Sequence, residues 1–165
     1  MDPLENFLAH FDLTQLLFLL LSAVASLLCI TFHELSHGWA AWRLGDMTAK
    51  NMGRLTLNPL AHVDLVGFVM MLIAHVGWAK PVPVDMRNFR HPKRDMAITA
   101  LAGPISNLVL AAVVLGVGSL VYHFAPIWDF VPYLLLFVCY VAVLSVGLGL
   151  FNLIPIPPLD GSKVL

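Results

Sequence analysis

The stretch Leu27–Asp46, LLCITFHELSHGWAAWRLGD, carries an apolar run suited to lipid directly into two histidines and a glutamate. The chain holds two glutamates, Glu5 and Glu34, and the second stands here between His33 and His37. An ionisable group at membrane depth costs several kcal/mol unless it is paired or metal-bound, so its presence there points to function. On a helix, residues four apart share one face, about 40° apart around the axis, and Glu34 lies about 100° from His33. This is the H-E-x-x-H pattern, in which two imidazoles ligate one zinc ion and the glutamate takes a proton from activated water. Two histidines on one face also hydrogen-bond to serines or carbonyls of neighbouring helices, so the pattern by itself leaves both readings open.

The surrounding composition supplies the setting. Hydrophobic residues make up 59% of the 165 and charged residues 12%, with mean hydropathy +0.86, whereas soluble domains are about one-quarter charged. An all-α membrane protein of one domain, residues 1–165, is therefore expected, because helices satisfy their own backbone groups in lipid. A net charge of −1 gives no reason to expect nucleic acid as a partner. Cys29 and Cys139 both lie in apolar runs and read as small hydrophobes rather than a disulfide or a thiolate metal site.

Three segments are long enough to cross about 30 Å of hydrocarbon: residues 13–43 through the histidines, 96–122 and 130–153. A shorter run, 65–78, reads as a re-entrant or interfacial helix. All nine Lys and Arg fall between Arg43 and Arg94 or at Lys163. The positive-inside rule then places the N-terminus outside and the basic regions in the cytoplasm of a multi-pass protein of the cell membrane. The N-terminus lacks the positive flank of a signal peptide, so the first apolar run is expected to remain in the mature protein. Within the connector, residues 44–95, the pieces GRLTLNP (53–59) and WAKPVPVD (78–85) read as two short extended segments, a small β hairpin-like unit. Such a unit is either a plain cytoplasmic connector or an open edge on which an unwound peptide is held by main-chain hydrogen bonds.

A catalytic zinc takes three protein ligands and keeps one position for water, so a third ligand is needed at the depth of the histidines. The C-terminal stretch FNLIPIPPLDGSKVL, 151–165, supplies a candidate. Pro155, Pro157 and Pro158 forbid regular helix, and Asp160 follows at once. The first and third spans both run inward, which delivers His33, His37 and Asp160 to the same cytoplasmic half. Asp64, Asp85 and Asp95 share that side, but none is brought in from the end of a span by a broken helix; Asp160 followed by Gly161 also reads as an ordinary turn pair.

HELSH (33–37), AGPISN (102–107) and NLIPIPPLDG (152–161), in this order, resemble the site-2 protease family of intramembrane zinc metalloproteases. The connector resembles the compact prokaryotic branch. The resemblance implies one catalytic zinc held by His33, His37 and Asp160, with Glu34 as the acid/base. It also implies that Asn152 sits beside the metal and helps hold the substrate or the developing oxyanion. Asn107 matches a polar position of the family on the preceding span, with substrate binding or helix packing as its role. Implied partners are the lipid bilayer and single-span membrane proteins such as tethered regulators, cut near the cytoplasmic side. Members of the family continue some tens of residues past the Asp-Gly pair, so residues 154–165 are expected to be a truncated end. Because a helical substrate must unwind before hydrolysis, Gly147 and Gly149 are expected either to admit its backbone near Asn152 or to pack helices. The alternative reading is a membrane protein that binds or transports a divalent metal through the same ligands without proteolysis.

Overall fold

A computed structural model describes residues 12–74, 80–126 and 128–164. Three long helices dominate it. Helix α1, Leu13–Arg43, opens at Asp12, whose carboxylate accepts the Thr14 N–H at 2.8 Å. At 31 residues it extends ~46 Å, well beyond the hydrocarbon thickness, and it carries His33 and His37 in its C-terminal third. Gly45 ends it with φ 114°, a left-handed conformation that lets the Asp46 N–H reach Ala41 O and the Gly45 N–H reach Trp42 O.

The single-turn helix α2, Thr48–Asn51, leads into the connector, followed by a 3₁₀ turn at Pro59–Ala61 and helix α3, Leu65–Ala74. The ten described residues of α3 span ~15 Å, about half the hydrocarbon thickness. Residues 75–78 of the expected 65–78 run lie outside the described residues, and among the described residues no feature shows re-entry. The β hairpin is not formed: among the described residues the connector has no β ladder, only an isolated bridging position at Val63 and a Lys80 N–H bond to His62 O at 2.9 Å. The reason is chemical. Pro81 and Pro83 have no N–H to donate, and the carbonyls of Lys80 and Pro81 are taken by the Arg54 guanidinium at 2.7 and 3.2 Å. Trp78 and Ala79 of the second expected piece lie outside the described residues.

Helix α4, Pro92–Phe124, starts with proline in its first turn, where a missing N–H costs nothing, and carries Pro104 inside. Helix α5, Val131–Asn152, completes the bundle. The three spans expected from composition are thus present as helices of membrane-crossing length. Their shared core is narrow: Ala25, Cys29 and Val141 are buried, flanked by Leu110, Phe137 and Leu144. Cys29 Sγ lies 3.1 Å from Ser145 Oγ, consistent with a packed thiol. Outward, α4 exposes Val109, Val113, Val117 and Leu120 and α5 exposes Val143 and Leu150, the apolar surface that lipid covers. After Asn152 the prolines keep the chain irregular until a 3₁₀ turn at Asp160–Lys163 folds back beneath α4.

Candidate metal centre

His33 and His37 are buried on α1, facing α4, and Asp160 is buried in the returning C-terminal turn. Their ligand atoms all lie within 4.8 Å of one another. One carboxylate oxygen, Asp160 Oδ2, stands 3.1 Å from His33 Nε2 and 3.0 Å from His37 Nε2. Both helices can come this close because α4 presents Gly103: a Cβ there would fall 2.8 Å from His33 Nε2 and closer still to His37 Nε2.

His37 Nδ1 lies 2.7 Å from Thr99 O. A carbonyl only accepts, so Nδ1 carries the proton, and in the neutral ring Nε2 bears a lone pair aimed at Asp160 Oδ2. Two lone pairs 3.0 Å apart repel unless a cation lies between them. A proton or a metal ion answers equally, and two imidazoles plus a carboxylate form a donor set suited to zinc. Histidine donating its second nitrogen to a backbone carbonyl is the arrangement that orients metal-ligating imidazoles. Burial opposes ionisation of Asp160. The Lys163 ammonium, 3.2 Å from Oδ1, opposes that and favours the ionised carboxylate.

A cavity of about 180 Å³ opens beside this cluster, walled by Glu34, His37, Val82, Met96, Asp160 and Lys163 among others. Glu34 is half-buried, and its Oε2 accepts the Val82 N–H at 2.9 Å. The four residues His33, Glu34, His37 and Asp160 are therefore brought together. Asn152 and Asn107 do not line the cavity. The Asn152 amide donates to Leu148 O of its own helix at 3.0 Å. Asn107 is fully buried within α4, its side-chain atoms without hydrogen-bond partners among the described residues. The other aspartates are engaged elsewhere: Asp64 accepts Gly67 N–H, Asp85 pairs with Arg87, and Asp95 accepts His91 N–H and pairs with Arg94. Gly103, the Thr99 carbonyl, the Val82 amide and Lys163 were not assigned from sequence. The two main-chain groups leave no side-chain signal, whereas Gly103 is visible inside AGPISN.

Fold and site together define a class: a helical membrane protein with a buried two-histidine, one-aspartate cluster and a glutamate on the adjoining cavity. The chain belongs to peptidase family M50, the site-2 protease family of zinc metalloproteases, whose family model matches residues 21–132. That match includes His33, Glu34 and His37 and ends before Asp160. The chain is 39% identical over 166 aligned residues to YwhC of Bacillus subtilis, which carries the name of a zinc metalloprotease; the match covers 98% of this chain and 73% of that protein. Rip2 of Mycolicibacterium smegmatis, similarly named, is 34% identical over 145 residues, 84% of this chain and 53% of the relative. A relative in Methanocaldococcus jannaschii is 30% identical over 141 residues, 81% of this chain and 63% of its own length. No solved structure matches the chain at a significant level.

Proposed function

We propose that this chain is the core of an intramembrane endopeptidase that hydrolyses peptide bonds of single-span membrane proteins, with His33, His37 and Asp160 as zinc ligands and Glu34 as general base. The observation that carries this reading is the His37 geometry: Nδ1 committed to Thr99 O at 2.7 Å, Nε2 facing a carboxylate oxygen at 3.0 Å. Bound zinc supplies Lewis acidity, lowering the pKa of water toward about 7 and polarising a carbonyl. Glu34 offers Oε1 to the attacking water while Oε2 is held by Val82. It accepts the water proton and returns it to the departing amine nitrogen, so that an N–H forms as the C–N bond breaks. Asp160 and the two imidazoles stay unprotonated on the faces turned to one another.

Orientation follows from charge. The ends of α1 and α5 and the start of α4 share one end of the bundle with the connector, which holds seven of the nine basic residues. That end faces the cytoplasm and the N-terminus lies outside. Leu65, Val66, Val69 and Met70 are exposed on α3, and this apolar surface suits a helix lying in the cytoplasmic membrane interface. Asn152 helps hold substrate only after its amide leaves Leu148 O. Asn107, buried away from the cavity, acts in helix packing.

The test compares wild type with Glu34→Gln on a fluorescently tagged single-span substrate, with zinc content measured on both. Cleavage lost by about 10²-fold or more, with zinc retained in both, supports the reading. Cleavage that survives Glu34→Gln removes Glu34 from the chemistry. Retained metal with no cleavage by wild type of any of several substrates favours a metal-binding membrane protein instead.

A further inference from the structure

The segment from Lys80 to Asp85, KPVPVD, is an irregular strap whose Pro81, Val82 and Val84 line the cavity. Between Lys80 and Val84 its sequence leaves a single main-chain donor, because Pro81 and Pro83 carry no N–H. That donor, the Val82 N–H, goes to Glu34 Oε2 at 2.9 Å. Prolines on both sides stiffen it: Pro81 has a fixed φ, and Val82, preceding Pro83, is restricted to extended backbone. The buried Val82 side chain packs on Gly38 of α1, one turn from Glu34.

Both ends of the strap are tied to α1 and the connector by buried charged groups. Upstream, the Arg54 guanidinium donates to Lys80 O, Pro81 O and Ala61 O. Downstream, Asp46, fully buried beyond the C-terminus of α1, accepts the Asp85 N–H at 2.8 Å, the Asn88 amide at 2.7 Å and both donors of Thr48. Two buried charges are thus committed to main-chain groups at either side of one amide that meets the side chain of Glu34.

We propose that the Val82 N–H is the positioning donor of the catalytic glutamate, with Arg54 and Asp46 as the clamps that set its direction. It occupies one carboxylate oxygen and turns the other to the cavity, so the strap fixes the angle at which Glu34 meets water. This inference rests on Glu34 being the general base.

Val82→Pro deletes the donor while keeping an extended backbone, and Val82→Ala shortens the side chain while keeping the donor. With the single-span substrate in detergent, Val82→Pro is expected to fall about 10- to 100-fold below Val82→Ala in kcat, with KM and zinc content alike in the two. Arg54→Gln lowers kcat in the same way, and combining it with Val82→Pro adds little, because both act through one amide. Independently of catalysis and of how Val82→Pro folds, hydrogen exchange at the Val82 amide is expected to quicken at least about tenfold in Glu34→Ala. Equal kcat for the proline and alanine variants, a change confined to KM or zinc, or unchanged exchange at Val82 each overturns the inference. Glu34→Gln separates the two failures. Cleavage that survives it defeats the general-base reading, whereas an inactive Glu34→Gln beside a Val82→Pro as fast as Val82→Ala defeats the positioning role alone.

Discussion

His37 donates its Nδ1–H to Thr99 O, at 2.7 Å, and so turns Nε2 toward Asp160 Oδ2, at 3.0 Å. Helix α4 therefore chooses the tautomer of a side chain on α1. The choice depends on how closely the two helices pass, and Gly103 lies directly against both imidazoles.

Gly103→Ala places a methyl group against both Nε2 atoms, so either α4 moves away or the imidazoles turn. The expected result is zinc affinity lowered about 10- to 100-fold, the range seen when groups that orient metal ligands are disturbed, with helix content unchanged. Competition against a chromophoric chelator measures it, and wild-type affinity would contradict the close approach.

Gly147 and Gly149 separate in the structure. A Cβ at Gly149 would lie 3.0 Å from the Pro104 carbonyl, a backbone atom with little room to shift, whereas among the described residues no atom lies within 4 Å of one at Gly147. Gly149 thus serves α4–α5 packing rather than the approach of substrate. Gly149→Ala is expected to destabilise the protein in detergent by about 1–3 kcal/mol. Gly147→Ala should be neutral or gain up to about 1 kcal/mol from helix propensity. Thermal melts of the two variants that coincide would refute this division.

Asp46 predicts an acid dependence. Burial by itself raises its carboxyl, but donors from Thr48, Asn88 and Asp85 outweigh that and hold it below the usual carboxylate range. A group lowered on folding contributes stability that is fully present above its unfolded value of about 3.9 and lost as pH falls through the folded value. Asp46→Asn should cost about 1–3 kcal/mol at pH 7, and the gap between variant and wild type should close only below about pH 4. A gap that widens on acidification would reverse the sign.

Orientation is open to labelling. With the native cysteines replaced, an impermeant maleimide should reach Tyr122→Cys on intact cells and Arg87→Cys only after permeabilisation. Tyr122 is exposed in the last turn of α4, and Arg87 is exposed in the 3₁₀ turn Met86–Asn88 that precedes its start. The opposite pattern would invert the proposed topology.

Much of this molecule is written in local chemistry. Runs of apolar residues long enough for lipid become α1, α4 and α5, and i, i+4 spacing puts His33 and His37 on one face wherever that helix packs. The prolines after Asn152 announced an irregular return to Asp160. The same residue type works against the expected hairpin in the connector: with no N–H at Pro81 or Pro83 and the Lys80 and Pro81 carbonyls taken by Arg54, no ladder forms among the described residues.

The sequence by itself determined the membrane setting, the three spans and the His–Glu–His face, because each depends on composition or on neighbours within one helical turn. Only the tertiary structure decided that Thr99 O orients His37, that Gly103 admits the imidazoles and that the Val82 amide holds Glu34. Those contacts join residues 62 and 48 positions apart for the two hydrogen bonds, and they use main-chain atoms that every residue carries. Side-chain identity cannot announce such atoms; the packing of the helices and strap selects them.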